Sequence, residues 1–89
     1  MQLVCLLFAH SGQEPALAAY EDRVLAILES RYGGKVLQRI ATVDGPTEVQ
    51  VLEVPDEAAL ERFLADPDRQ ALSGLRDASV ARTELFRAR

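Results

Sequence analysis

The run Leu3–Ala9, which reads Leu-Val-Cys-Leu-Leu-Phe-Ala, is the feature that most constrains the fold of this chain. All of its residues are apolar, it has no helical period, and it ends at the turn cluster His10-Ser11-Gly12. Such a run predicts a central strand that is buried on both faces of its sheet. In a chain of only 89 residues, both faces of that sheet must therefore find a cover.

The segment after this strand predicts a long helix. Pro15 suits a first helical turn, and Gly33-Gly34 ends the helix because glycine takes the left-handed cap conformation without steric cost. The apolar side chains recur at helical spacing, with most charged residues on the other face: Leu17, Tyr20, Val24, Ile27 and Leu28 against Glu21, Asp22, Arg23 and Glu29.

A β-hairpin is predicted next. Lys35–Val43 is rich in β-branched and apolar residues, and Thr47–Val54 alternates between two faces. The turn signal Asp44-Gly45-Pro46 lies between them. These segments are therefore interpreted as the second and third strands, paired antiparallel.

The last third of the chain predicts a second helix and a final strand. Pro55-Asp56-Glu57 opens the helix, with Asp56 as its N-cap. Asp66-Pro67 interrupts it, because proline disfavours a helical conformation in the residue before it. The apolar face continues to Leu75, and Ala81–Arg87 reads as the fourth strand.

The predicted order is βαββαβ, an α+β arrangement of the ferredoxin-like type, in a single domain over residues 1–89. In this topology one four-stranded antiparallel sheet carries both helices on one face. The other face is apolar as well, because the first strand is apolar at both parities. A second copy of the same sheet is the simplest cover, so we expect a homodimer.

Composition excludes several classes of protein. The net charge of −4 argues against a nucleic-acid binder or an anionic-membrane binder. With one histidine and one cysteine, the chain is not expected to bind a metal ion or a metal cofactor, and it cannot form an intramolecular disulfide. The first residues lack the basic region of a signal peptide and are too few for a membrane span, so the expected location is the cytoplasm.

Several short motifs carry a resemblance to a known superfamily. They are Tyr20-Glu21, Gly33-Gly34, Arg39, Val51-Leu52-Glu53-Val54-Pro55, Ala58-Ala59, Asp66-Pro67 and Arg76. In this order the chain resembles the dimeric α+β barrel superfamily. Within it, the chain is similar to small stand-alone members of unassigned function related to antibiotic-biosynthesis monooxygenases. It departs from them in having no tryptophan, in Phe63-Leu64 where an aromatic pair is usual, and in Asp68-Arg69-Gln70 where a tyrosine is expected.

The resemblance implies a homodimer with its two sheets packed face to face, and a ligand pocket in each subunit between its own sheet and helices. It also implies activities such as cofactor-free oxygenation, isomerisation of small lactones or haem breakdown. No cofactor is expected here; binding of haem is a weaker alternative.

Two residues are candidates for catalysis. His10 follows the first strand at the start of a loop, where it could act as a general base near neutral pH. The alternative is an exposed histidine at the end of the strand, or one that forms a hydrogen bond with the turn. Glu53 shares the parity of Val49 and Val51, so it is a buried carboxylate if those valines face inward and a solvated one if they do not.

Three residues are candidates for ligand binding. Tyr20 lies on the sheet-facing stripe of the first helix, as a pocket residue or an ordinary core tyrosine. Arg39 is expected to pair with a ligand carboxylate or with Glu53 across the hairpin. Arg76 either reaches the pocket mouth or caps helix carbonyls near the end of the second helix.

The sequence therefore favours a dimer that binds a small hydrophobic or aromatic metabolite, as a cofactor-free oxygenase or isomerase. The alternative is a non-catalytic dimerisation or interaction module, and the residue pattern leaves open whether the protein is an enzyme.

Overall fold

The computed structural model of the chain describes residues 1–43 and 45–89. The elements are β1 (Gln2–Ala9), α1 (Glu14–Arg31), β2 (Lys35–Ala41), β3 (Thr47–Glu53), α2 (Glu57–Leu64), α3 (Pro67–Gln70), α4 (Ser73–Ser79) and β4 (Val80–Arg87). The predicted α+β order is confirmed, except that the expected second helix consists of α2, α3 and α4. The turn predicted at Asp44-Gly45-Pro46 includes Asp44, which lies outside the described residues.

The four strands form one antiparallel sheet in the order β2-β3-β1-β4, so β1 is central as predicted. Cys5 of β1 lies opposite Gln50 of β3 and Leu85 of β4. The helices pack on the face of the sheet that carries these residues. We call this the helix face and the opposite one the open face.

The two faces of β1 are not equally covered. Leu3, Cys5, Leu7 and Ala9 are buried on the helix face, whereas the alternate residues Val4, Leu6 and Phe8 are only half-buried on the open face. The prediction of burial on both sides is thus met within this chain on one side only.

Helix α1 buries its stripe through Leu17, Tyr20, Val24 and Leu28. The sequence pattern placed Glu21 on the solvated side of this helix, and that placement is wrong, because Glu21 is 5% exposed. Glu21 follows Leu17 by four residues and precedes Leu28 by seven, which sets it on the buried stripe. Gly33 beyond the helix has a φ of +67°, as its predicted capping role requires.

A capping aspartate fixes the break between α2 and α3. Asp66 Oδ1 accepts hydrogen bonds from the backbone N–H groups of Asp68 (2.8 Å) and Arg69 (3.1 Å). Its other oxygen accepts from the Tyr32 hydroxyl at 2.5 Å. The Tyr32 hydrogen bond, with these backbone and Arg31 hydrogen bonds, holds the pKa of Asp66 down at about 2. The carboxylate therefore ties the end of α1 to α3.

A bulge in β2 changes the face on which its later residues lie. The register shifts between Val36 and Gln38, so Arg39 lies opposite Gln50, on the helix face. Glu53 lies opposite Lys35. The predicted pairing of Arg39 with Glu53 is therefore wrong, because one extra residue in a strand reverses the facing of all that follow.

The strand ends also differ from prediction by one or two residues. β2 stops at Ala41 instead of Val43, β3 stops at Glu53, and β4 begins at Val80. Within the part of the chain that the structure describes, no helix is long and apolar enough to cross a membrane.

Candidate functional site

A cavity of about 150 Å³ lies between the sheet and the helices. Its walls come from β1, β3 and β4 on one side and from α1 to α4 on the other, and most of the lining side chains are apolar. A cavity of about this volume, made in another protein by trimming its core, binds benzene. The site therefore has room for a ligand with a single ring.

Glu21 is the one acidic side chain among the described residues that line the cavity, and it is buried. Its Oε1 accepts a hydrogen bond from Gln50 Nε2 at 2.7 Å. Burial raises the pKa of Glu21 from 4.5 to about 7, and the Gln50 hydrogen bond opposes that rise. A carboxyl group with a pKa near 7 accepts and releases protons at neutral pH.

A polar network connects Glu21 to the protein surface. Gln50 Nε2 also donates to Glu48 Oε2 at 2.6 Å, and Arg39 donates to both oxygens of Glu48 at 3.1 and 3.2 Å. Arg39 Nη1 in turn lies 2.5 Å from Asp22 Oδ1. Arg39 is thus held in ion pairs beside the cavity and does not line it among the residues described.

Tyr20 and Arg76, both predicted ligand-binding residues, do line the cavity. Tyr20 is buried, and burial raises the pKa of its hydroxyl above 10. Arg76 is 47% exposed, with Nη2 3.4 Å from Asp77 Oδ1, so it lies where the cavity meets solvent. The structure therefore brings together two of the five predicted site residues.

Arg69 of α3 is a further cation in the cavity wall. Its Nη1 donates to the Leu64 carbonyl at 3.1 Å, and its guanidinium carbon lies 5.2 Å from the centre of the Phe63 ring. Its Nε is buried and has no hydrogen-bond partner within residues 1–43 and 45–89.

His10 and Glu53, the two predicted catalytic residues, lie away from the cavity lining as described. His10 is exposed, with Nε2 3.1 Å from the backbone oxygen of Asp77. Glu53 is half-buried on the open face with Val49 and Val51, because those valines face away from the helices. A catalytic role for either residue stays a prediction that this geometry does not favour.

Cys5 lines the cavity as a protonated thiol, because burial raises its pKa to about 12. A thiol in that state is a poor nucleophile. Leaving Asp44 aside, the chain has no group of three histidine, cysteine, aspartate or glutamate side chains placed to hold a metal ion.

Sequence reasoning missed Glu21, Gln50 and Arg69. Glu21 carried a usable signal, since its spacing from Leu17 and Leu28 is that of a core position. Gln50 shares the parity of the buried Leu52 on β3. Arg69 had no such signal, because its position depends on the break at Asp66.

Comparison with known proteins gives matches at the level of structure. No protein-family model matches the chain, and no curated protein matches it in sequence. SnoaB, a cofactor-independent oxygenase from Streptomyces nogalater, superposes with a TM-score of 0.75 at 22% identity, covering 99% of this chain and 91% of SnoaB.

Two other solved structures are similar. One, from Bacteroides thetaiotaomicron, is provisionally described as an antibiotic biosynthesis monooxygenase; its TM-score is 0.74 at 25% identity, covering 100% of this chain and 87% of that one. An uncharacterised NIPSNAP domain protein from Burkholderia xenovorans has a TM-score of 0.74 at 21% identity, covering 100% and 95%. The resemblance is thereby confirmed at the level of the fold: the chain has the ferredoxin-like α+β fold of these structures, which include an oxygenase and a protein described as an antibiotic biosynthesis monooxygenase.

Proposed function

We propose that the protein binds a small hydrophobic or aromatic metabolite in the cavity and acts on it as a cofactor-free oxygenase or isomerase. The observation that carries this proposal is Glu21, a carboxyl group with a pKa of about 7 in the wall of a largely apolar cavity. Perturbed acids in clefts are often catalytic, because a proton acceptor works best when its pKa is near the working pH.

Glu21 would act as the general base. Its carboxylate would remove a proton from an acidic hydroxyl or carbon of the ring within the largely apolar cavity. Gln50 would hold the carboxylate in place through its 2.7 Å hydrogen bond. The anion left on the ligand would then be reprotonated at another position, which is isomerisation. Alternatively, it would give an electron pair to molecular oxygen and take the proton back from Glu21, forming a carbon-bound hydroperoxide that loses water and leaves a carbonyl, which is oxygenation.

The fold neighbours support this proposal at the level of precedent. SnoaB is a cofactor-independent oxygenase of the same fold, so this architecture is compatible with oxygenation without a bound cofactor. The apolar lining and the volume of about 150 Å³ restrict the ligand to about one ring.

The proposed working form is a homodimer in which two open faces pack together. The half-buried residues Val4, Leu6 and Phe8 of β1 lie beside Val49 and Val51 of β3. Farther out, Ile40 and Phe86 are 48% and 51% exposed. A contiguous apolar face of this kind is stable in water when a second surface covers it. The absence of any possible intramolecular disulfide suits a reducing compartment, and we place the dimer in the cytoplasm.

The test is turnover of single-ring probes by the wild-type protein and by Glu21→Gln, with no metal, flavin or nicotinamide added. Hydroquinone in air-saturated buffer reports oxygen consumption at an oxygen electrode, and mass spectrometry of the product distinguishes an added oxygen atom from simple oxidation to the quinone. Conversion of cyclohex-3-enone to cyclohex-2-enone reports isomerisation by absorbance. We expect one of these rates to exceed the buffer rate and to fall about 100-fold or more in Glu21→Gln.

Glu29→Gln is the matched control, because Glu29 is an exposed glutamate on the same helix. It should leave the rate unchanged. Rates equal to those in buffer, or a Glu21→Gln rate equal to the wild-type rate, would contradict the proposed catalysis.

A non-catalytic dimerisation module is the second candidate, and one observation favours it. His10, Arg39 and Glu53 lie outside the described cavity lining, and Arg39 is already committed to Glu48 and Asp22. This candidate predicts that no single-ring probe binds while the dimer still forms.

A further inference from the structure

Arg69 is a cation without a counter-charge in the wall of the cavity. Its Nε is buried and unpartnered, and the only acceptor its guanidinium has within the described residues is the Leu64 carbonyl. No carboxylate oxygen among the residues described lies within salt-bridge distance of it, although Arg31, Arg39, Arg76 and Arg87 all have one.

The acidic groups near Arg69 in the chain are committed to other partners. Asp66 accepts from Tyr32, from Arg31 and from two backbone N–H groups. Asp68 pairs with Arg31 at 2.7 Å. Glu21 faces the same cavity but is bonded to Gln50. None of them lies within salt-bridge distance of Arg69.

A buried guanidinium N–H that has left water without finding an acceptor is unfavourable. Because Arg69 also lines the cavity without a salt-bridge partner among the described residues, the cavity favours a ligand group that can accept from its guanidinium. An anion on a bound ligand is the strongest such acceptor. Asp66 holds α3 by its first turn, which fixes the backbone of Arg69 at the cavity wall.

We propose that Arg69 is the anion-binding residue of the cavity, and that the ligand is a single-ring molecule bearing a carboxylate or a similar anionic group. This inference rests on the proposed function of the cavity and specifies its ligand class. An anion held at Arg69 fixes one end of the ring, which a site must do if Glu21 is to meet one position of it.

The titratable groups of the cavity already experience this charge. Burial raises the pKa values of Cys5, Tyr20 and Glu21, and the positive charge of Arg69 opposes the rise in all three. A ligand anion placed in the same cavity would experience the same attraction.

The experiment compares benzoate with its neutral isostere benzamide by isothermal titration at pH 7.5. The wild-type protein should bind benzoate at least about tenfold more tightly, as expected for a charge-assisted hydrogen bond in a partly buried site. This comparison needs no variant. Arg69→Gln should remove the preference by weakening benzoate binding while leaving benzamide binding unchanged.

Two further variants complete the design. Arg69→Lys keeps the charge and should keep part of the preference. Arg23→Gln makes the same change in net charge on the exposed side of α1 and should keep the whole preference for benzoate.

The outcomes show whether the anion site fails alone or together with the proposed ligand cavity. Equal binding of benzoate and benzamide overturns the anion site but leaves the cavity as a ligand site. A benzoate preference that survives in Arg69→Gln also overturns it, because the anion is then recognised elsewhere. Failure of both probes to bind the wild-type protein overturns the anion site and the proposed ligand cavity together.

Discussion

At the residue scale, Glu21 occupies a position that helical spacing assigns to the core. It lies on the stripe of Leu17 and Leu28, where an apolar residue would contribute to packing. The chain instead keeps a carboxyl group there and gives it one amide donor, Gln50. A carboxyl group at this buried position lowers the stability of the folded protein at neutral pH, because burial penalises its charged form.

The pH dependence of stability should reveal this cost. The folded-state pKa of Glu21 is about 7 against 4.5 for the free group, so the native state binds the extra proton between these values. The contribution of the protonated Glu21 side chain to the free energy of unfolding is fully present below pH 4.5 and is lost as the pH rises through 7. As the pH rises from 4 to 8, we expect the free energy of unfolding of Glu21→Gln to increase by about 3 kcal/mol relative to that of the wild type.

Urea unfolding followed by circular dichroism at each pH measures this difference. Glu29→Gln, which changes an exposed glutamate on the same helix, should show no such gain. A wild-type profile parallel to that of Glu21→Gln would mean that Glu21 titrates normally.

At the element scale, the sequence predicted the order of helices and strands because each boundary carries a local signal. Pro15, Gly33 and Asp56 each act within one turn of the residue that they constrain, and Asp56 accepts from the Ala59 N–H at 2.8 Å. Such signals act through neighbouring residues and need no long-range pairing. They were sufficient for the fold.

The candidate site was less predictable, because it depends on which face of the sheet each side chain lies on. That face is set by the register in which the strands pair. The bulge in β2 moved Arg39 to the helix face, and nothing in Lys35–Ala41 marks that bulge before the sheet forms. The side of the sheet on which Glu53 lies was inferred from Val49 and Val51, whose apolar character fits either face of a sheet that carries apolar residues on both. Tyr20 was found because helix periodicity determines which side of a helix faces the sheet without any long-range pairing, whereas Arg76 was singled out through the family resemblance.

At the scale of the whole molecule, the sheet is covered by helices on one face and open on the other. The open face carries Leu6 and Phe8 in its centre, and the Arg82 guanidinium stacks on the Phe8 ring at 4.1 Å. Charged residues of both signs, Glu84 and Arg82, lie at its edge on β4. A second copy packed by a twofold axis could bury the centre and pair these edges.

The dimer is tested by placing a charge on the open face. Val51→Lys puts an ammonium group opposite Val4, and its desolvation should dissociate the dimer. Light scattering after size exclusion should give twice the monomer mass of 9.8 kDa for wild type and the monomer mass for Val51→Lys. Val43→Lys is the control, because Val43 follows β2 and is 99% exposed. This variant should remain a dimer. A wild-type monomer at micromolar concentration would contradict the dimer.

The central claim is that the cavity between helices and sheet is a binding site for one ring. A titration of the leucine-methyl-labelled protein with phenol, followed by carbon–proton correlation NMR, tests it most directly. We expect saturable shifts in the methyl groups of Leu25, Leu52 and Leu60, which line the cavity, and none in Leu37, which is exposed on β2. Shifts confined to the open-face residue Leu6, or no saturable shift at all, would contradict it.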